Sequence, residues 1–230
     1  MGHKILVVSA HPDDEILGVG GAILRHVAEG DSVRVMILAE GITSRGTRRD
    51  VSKDELDLSR LREASRKVAE YMGIDKLTLC GFPDNRMDGV ELLDIIKRVE
   101  MEMEEFCPDT VYTHHTGDVN VDHQVTHRAV ITACRSMPGA TVCQLLFFET
   151  LSSTEWQVPM QGCSFLPNWY VDIHEYLARK LEALHFYETE MREYPHPRSY
   201  EGVSILAKMR GQAVGVNAAE AFMLGRKVCR

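Results

Sequence analysis

Four short runs rich in β-branched residues, at 4–9, 32–39, 76–80 and 109–114, recur through the first half of the chain, with amphipathic stretches between them. Strands that alternate with helices pair in parallel, because each helical crossover carries the chain back to the same end of the sheet. The sequence therefore predicts an α/β domain built on a mainly parallel central sheet. In the second helical stretch Leu61, Ala64, Val68 and Tyr71 recur at three- and four-residue spacing before Gly73, which suits a C-terminal cap. In the third, Leu92, Ile95, Val99, Met103 and Phe106 repeat the pattern until Pro108 stops it. Both stripes read as core-facing helix faces.

The second half continues with a strand at 142–149, a loop rich in Ser, Thr, Gly and Pro, and a long helical pattern over 175–190. Two prolines then enforce an extended segment at Tyr194-Pro195-His196-Pro197-Arg198-Ser199. A helix over 203–212 and a short apolar run at 221–224 follow. No repeat, low-complexity tract or composition break marks a linker, so residues 1–230 are expected to form a single domain.

Composition narrows the partners. With 44% hydrophobic and 26% charged residues and no apolar run of roughly eighteen residues, a membrane-embedded role is not expected. The opening apolar run, Ile5 to Val8, is too short for a signal peptide, which predicts a cytoplasmic protein. A net charge of -8 argues against a nucleic-acid surface. The six cysteines are scattered with no C-x-x-C pair, so neither a cysteine zinc cluster nor a disulfide framework is suggested. Homo-oligomerisation is left open.

In an open parallel sheet, ligands bind beyond the carboxyl ends of the strands. Two of the loops there are loaded with metal-binding side chains. The first strand ends in His11-Pro12-Asp13-Asp14-Glu15, and the fourth ends in a stretch containing His114, His115, Asp118, Asn120, Asp122 and His123. A mononuclear catalytic zinc needs about three His or carboxylate ligands and an open position for water. His11 and Asp14, three apart in a turn stiffened by Pro12, can share one metal, and His123 from the next helix can complete the set. Asp13 is then left beside the metal as a carboxylate able to take a proton from the bound water, whose pKa zinc lowers to about 7.

These residues resemble the PIG-L/LmbE family of zinc-dependent N-deacetylases. The family's opening block, a buried strand followed by A-H-P-D-D-E and a glycine-bearing helix, is present through Ala10, His11–Glu15 and Gly18–Gly21, and its downstream D-H element is Asp122-His123. The resemblance implies a Rossmann-like three-layer sandwich, zinc or another divalent transition metal held by His11, Asp14 and His123, and Asp13 as general base. It also implies the reaction: hydrolysis of an N-acyl amide, most simply N-acetyl, on a small-molecule amino sugar or amino-sugar conjugate by metal-bound hydroxide. Several members carry H-P-D-H at the second block, where this chain has Asn120-Val121-Asp122-His123. Asn120 cannot donate a full proton to a leaving amine. Asp13 would then return the proton it took, with His115 or His196 as other candidates.

Other positions are open between a bland and a sharp role. Glu15 suits the start of a helix whatever else it does. Asp122 is either the N-cap of the helix after the fourth strand or an orienting partner for an imidazole. His127 shares a helix face with His123 but lacks the Glu of H-E-x-x-H and is left out of the ligand set. Arg45, Arg48 and Arg49 follow the second strand, on the ligand side, and either hold a substrate anion or stand in solvent. His196 and Arg198 in the extended segment suit a polar substrate or a structural turn. Gly18-x-Gly20-Gly21 invites a nucleotide-binding module without metal, but the acidic block occupies the place directly after the strand. A metal-bearing protein that does not hydrolyse anything is the remaining alternative. Specificity is expected from loops at 41–54, 81–90 and 150–168.

Overall fold

The computed structural model of the chain describes residues 2–44, 46 and 49–229. Among these residues, seven strands form one sheet: β1 (Lys4–Ser9), β2 (Ser32–Ala39), β3 (Lys76–Phe82), β4 (Thr110–His114), β5 (Gln144–Phe148), β6 (Trp169–Asp172) and β7 (Ala219–Lys227), in the spatial order β3-β2-β1-β4-β5-β7-β6. The first five pair in parallel with one another, while β7 runs antiparallel between β5 and β6. Among the described residues, six α-helices flank the sheet: α1 (Asp14–Ala28), α2 (Val51–Met72), α3 (Leu92–Phe106), α4 (Val121–Ala133), α5 (Leu177–Leu184) and α6 (Tyr200–Gln212).

The period-two pattern of the central strands divides the core into two layers. Ile5, Val7, Val33, Val35 and Ile37 pack with Ile16, Val19 and Ile23 of α1 and with residues of α2, α5 and α6. Their strand neighbours Leu6, Val8, Met36 and Leu38 face the other way, onto Ile95 and Val99 of α3 and Val125 and Ala129 of α4. The result is the expected α/β three-layer sandwich. Among the described residues, no helix is long and apolar enough to cross a membrane.

Three elements differ from the expectation. The strand β6 falls within a stretch read as loop and is only four half-buried residues long, too short to show alternation. The apolar run at 221–224 is the middle of β7, so the sheet becomes mixed at this edge. The helical pattern over 175–190 breaks into α5 and a 3-10 turn at His185–Tyr187, where the buried Tyr187 hydroxyl donates to Glu15 Oε1 at 2.7 Å.

The glycines of α1 are used for close packing. A Cβ on Gly18 would fall 2.3 Å from the Phe148 ring, and one on Gly21 would fall 2.6 Å from Ile173. Glu220 of β7 enters this tight contact from the side. Its carboxylate accepts the N–H groups of Gly21 and Ala22 at 2.7 and 2.8 Å. Lys180 of α5 donates to Glu220 at 2.6 Å and to the Leu17 carbonyl at 2.8 Å, the acceptor that helical geometry assigns to Gly21 N–H.

From β1 the chain moves out through β2 and β3 on one side and returns to β4 on the other. The β1–β4 pair is therefore the switch point of the sheet, and the crevice beyond its carboxyl ends is where such folds bind ligands.

Candidate metal centre

The turn after β1 is locally strained and held from several directions. Asp13 has φ 103°, a region costly for a residue with a side chain, by about 1–3 kcal/mol. Its N–H donates to Glu15 Oε2 at 3.0 Å, and Glu15 is in turn held by Tyr187. The Asp13 carbonyl accepts from Ile16 and Leu17 at 3.0 and 2.9 Å, which starts α1. His11 N–H donates to Asp14 Oδ2 at 2.8 Å, closing the turn over the two acidic residues. Burial pushes the Glu15 carboxyl up to about 8, against the pull of the Tyr187 hydroxyl.

Three side-chain atoms converge from this turn and from the first turn of α4. His11 Nδ1 and His123 Nε2 are 3.3 Å apart, His11 Nδ1 and Asp14 Oδ2 are 3.3 Å apart, and His123 Nε2 and Asp14 Oδ2 are 3.2 Å apart. A tetrahedral zinc with bonds of about 2.0–2.1 Å spaces its ligands about 3.3 Å from one another. The triangle thus already has the edge lengths of one face of that tetrahedron, with the fourth corner left for water or substrate.

The far nitrogens of both rings meet carboxylates. His11 Nε2 lies 3.0 Å from Asp122 Oδ2 and 3.3 Å from Asp84 Oδ1. A proton on Nε2 donated to Asp122 leaves the Nδ1 lone pair facing the triangle. His123 Nδ1 is 3.0 Å from Asp118 Oδ2, an ion-pair contact outside hydrogen-bond alignment. Asp118 is itself fixed by the Ser153 hydroxyl, by Thr154 Oγ1 at 2.8 Å and by Asn120 N–H at 3.0 Å.

The field of these carboxylates favours positive charge at the triangle. Burial opposes the charged form of His123, yet Asp14 and Asp118 raise it to about 9. His11 is likewise raised despite burial, by Asp122 and Asp14. Two nitrogen lone pairs and a carboxylate oxygen aimed at one point repel each other unless a cation lies between them, so the donor set fits a divalent metal.

His114 lies beside the triangle but is otherwise engaged. Ala10 N–H donates to its Nε2 at 2.9 Å, which occupies that lone pair and places the proton on Nδ1, 3.3 Å from Thr150 Oγ1. Burial first, and then the neighbouring His123, lowers its pKa to about 4, so His114 is neutral. Its ring stacks on His123 with centroids 3.9 Å apart, fixing the plane of that ring.

The triangle forms the floor of a cavity of about 200 Å³, whose walls include Asp13, Ser44, Asp84, Asn120, Ser152, Glu190, Arg192 and Arg198. Arg198 Nη1 donates to Asp13 Oδ2 at 2.7 Å, and Arg198 Nε donates to Ser152 Oγ at 2.9 Å. Burial raises the Asp13 carboxyl to about 7, with Arg198 holding it down against that trend. Asn120 Oδ1 accepts the Asp122 N–H at 2.8 Å, and its Nδ2 donates to Asn85 Oδ1 at 3.0 Å.

Residues 6–134 match the family model described as PIG-L, GlcNAc-PI de-N-acetylase. The chain belongs to the PIG-L family. Among its relatives is the uncharacterized deacetylase YaiS of Escherichia coli K12, 28% identical over 186 residues that cover 78% of this chain and 88% of YaiS. Another is the diacetylchitobiose deacetylase of Thermococcus kodakarensis, 27% identical over 196 residues, 83% of this chain and 71% of that one. A solved structure of GalB, the 4-carboxy-2-hydroxymuconate hydratase of Pseudomonas putida KT2440, superposes with a TM-score of 0.77 at 21% identity, covering 100% of this chain and 98% of GalB. That likeness concerns the fold alone. A PIG-L-like scaffold hosts a hydratase as well as deacetylases, so the chemistry must be read from the site.

In this PIG-L chain His11, Asp13, Asp14, Asn120, His123 and Arg198 meet around one cavity. Asp122 is fully buried beneath it; Asn120 caps α4, while Asp122, one turn position inside, reaches back to His11. His115 and His196 stand outside the cavity walls. The His115 ring turns toward the Cys163 carbonyl, to which Nε2 donates at 2.9 Å, because strand alternation sends it away from His114. His196 packs against Trp156. Neither is placed to protonate a leaving amine. Arg45 and Arg48 lie outside the described residues, and Arg49 pairs with Glu40 at 2.7 and 3.0 Å away from the cavity. His127 Nδ1 donates to the His114 carbonyl at 2.8 Å, a structural bond. Asp84, Ser152, Glu190 and Arg192 were not singled out as site residues from the sequence, whereas His114 and Asp118 stood in the loaded loop after the fourth strand.

Proposed function

We propose that this PIG-L chain is a zinc-dependent N-deacetylase that hydrolyses the acetamide of an amino sugar or amino-sugar conjugate. The observation that carries this is the near-equilateral triangle of His11 Nδ1, Asp14 Oδ2 and His123 Nε2, with the Asp13 carboxylate beside it. The two-nitrogen, one-oxygen donor set and its tetrahedral spacing support zinc over the octahedral oxygen-binding cations. The sugar substrate is supported by the sequence relatives, one of which is named for diacetylchitobiose.

A zinc ion held by these three side chains would acidify a water and polarise the amide carbonyl. The remaining work falls to the chain. Asp13 takes a proton from the attacking water as its oxygen bonds to the acyl carbon. When the C–N bond breaks, Asp13 gives that proton to the departing nitrogen, and acetate and a free amine leave. Arg198 fixes the Asp13 carboxylate for both transfers. With its Oδ1 tied to the backbone of α4 and one Nδ2 proton given to Asn85, Asn120 lines the cavity with a second N–H that can hydrogen-bond developing negative charge without giving up a proton.

The nucleotide-binding alternative loses its support, because Gly18 and Gly21 are committed to contacts with Phe148 and Ile173. The deciding experiment combines metal analysis of the purified protein with acetate release from N-acetylglucosamine and N,N′-diacetylchitobiose, for wild type and Asp13→Ala. Zinc near one per chain, turnover by wild type and retained metal without turnover in Asp13→Ala are expected. Turnover by the variant would overturn the role of Asp13. Zinc with no acetate released from either sugar would favour a non-hydrolytic protein.

A further inference from the structure

Beside the cavity stands a ring pair with no part in the chemistry above. Trp156 is 54% exposed, an unfavourable place for a large apolar side chain. It is nonetheless held in position. The His196 ring meets it edge-on, with centroids 5.6 Å apart and planes at 81°. His196 is in turn fixed, because its Nδ1 accepts the Arg198 N–H at 3.1 Å while the Arg198 side chain runs inward to Asp13. On the sequence side, the Glu155 carboxylate accepts the backbone N–H groups of Ser152 and Ser153 at 2.5 and 3.3 Å, fixing the turn that leads into Trp156. Arg198, Ser152 and Ser153 are all cavity walls. Both supports of the indole are thus bonded to residues of the cavity wall, and the ring stands outside that wall, three positions beyond Ser153.

We propose that Trp156 is a binding platform for a second ring of the substrate, the sugar joined to the N-acetylated one, which lies with its C–H face on the exposed indole. This rests on the deacetylase assignment and adds that the substrate is a conjugate larger than one sugar. A pyranose has an apolar face and hydroxyls around its edge. The rim offers matching chemistry, an aromatic face next to charged and hydroxyl groups. Bare apolar surface against a protein partner would not need an imidazole, itself tied to the backbone of a cavity-wall residue, to hold one ring in place.

Two measurements test it. In Trp156→Ala, the ratio of kcat/KM for N,N′-diacetylchitobiose to that for N-acetylglucosamine falls roughly threefold to tenfold, the contribution of one stacked aromatic contact. In Trp169→Phe, which leaves Trp156 as the one remaining tryptophan of the two, the disaccharide shifts the indole emission saturably and the monosaccharide does not. If both sugars are turned over while the ratio stays unchanged and Trp156 emission is silent, the subsite is overturned and the deacetylase stands. If neither sugar is turned over, the deacetylase assignment falls and the subsite falls with it.

Discussion

Arg198 and Asp13, 185 positions apart in the chain, form a 2.7 Å ion pair in which a half-buried guanidinium holds a fully buried carboxylate at the edge of the metal triangle. The same guanidinium reaches Ser152, so its plane is fixed by two partners. The base proposed for Asp13, which must take a proton and return it to a different atom, depends on that placement. Arg198→Met is therefore expected to lower kcat by up to roughly 10²-fold, the scale of a misplaced catalytic group, while zinc content stays at the wild-type level. Arg198→Lys recovers little, because one ammonium cannot reproduce a planar fork with two acceptors. Steady-state kinetics with metal analysis on the same samples checks this. Loss of metal in parallel with activity would show that Arg198 holds the fold of the site and does not act on Asp13.

Asp122 joins the metal triangle to the loop after β3. Besides His11 Nε2, its carboxylate accepts the N–H groups of Asn85 and Met87 at 2.6 and 2.9 Å. Asp122→Asn keeps the size of the side chain but turns one acceptor into a donor that faces N–H groups. Carboxylates behind metal-binding histidines typically contribute roughly 10–100-fold to metal affinity. A drop of that size, read by competition against a chromophoric chelator, is the expected outcome. Unchanged affinity would remove Asp122 from the support of the centre.

Asn120 separates into a structural half and a chemical half. Its Oδ1 caps α4, while its Nδ2 donates one N–H to Asn85 Oδ1 and has a second N–H to offer in a residue that lines the cavity. Asn120→Asp retains a good N-cap, so the midpoint of thermal unfolding should hold to within a few degrees, since cap residues of this kind differ by only about a few tenths of a kcal/mol. The amide donor is lost, and a fall in kcat of roughly 10²-fold is expected if Nδ2 meets charge that develops in the transition state. An equal rise in KM with kcat intact would place Asn120 in ground-state binding instead.

How much of this was visible in the sequence depends on how far apart the interacting residues lie. The bounds of β1 and β2 could be read directly, since a strand buried on both faces shows as a continuous β-branched run. The acidic turn and His123 could be paired because both follow central strands, and that placement follows from chain order. Strand alternation could say that His114 and His115 face opposite sides, but not which one faces the His11–Asp14–His123 triangle. The register of β4 against β1 decides that by bringing Ala10 N–H onto His114. The contacts of Arg198 with Asp13 and of Tyr187 with Glu15 join residues 185 and 172 positions apart, and no local spacing encodes them. The edge strand β6 was missed for a different reason: it pairs only with β7 and is half-buried, so hydrophobic periodicity had little to act on.

The pair of Lys180 and Glu220 predicts a stability effect remote from the metal. Both side chains are about 95% buried, and they bond the middle of α1 through Gly21, Ala22 and Leu17. Removing one charge strands the other in the interior, which typically costs about 3–5 kcal/mol. Glu220→Gln should therefore shift the urea midpoint strongly downward, with the slope of the transition preserved. Lys180→Met combined with Glu220→Gln leaves no buried charge, and the glutamine carbonyl oxygen can still accept from one of the two helix N–H groups. The double variant is accordingly expected to be more stable than Glu220→Gln alone. The sign of that difference is the test: a double variant less stable than either single one would mean that the two residues act on α1 independently, through Leu17 on one side and Gly21 on the other.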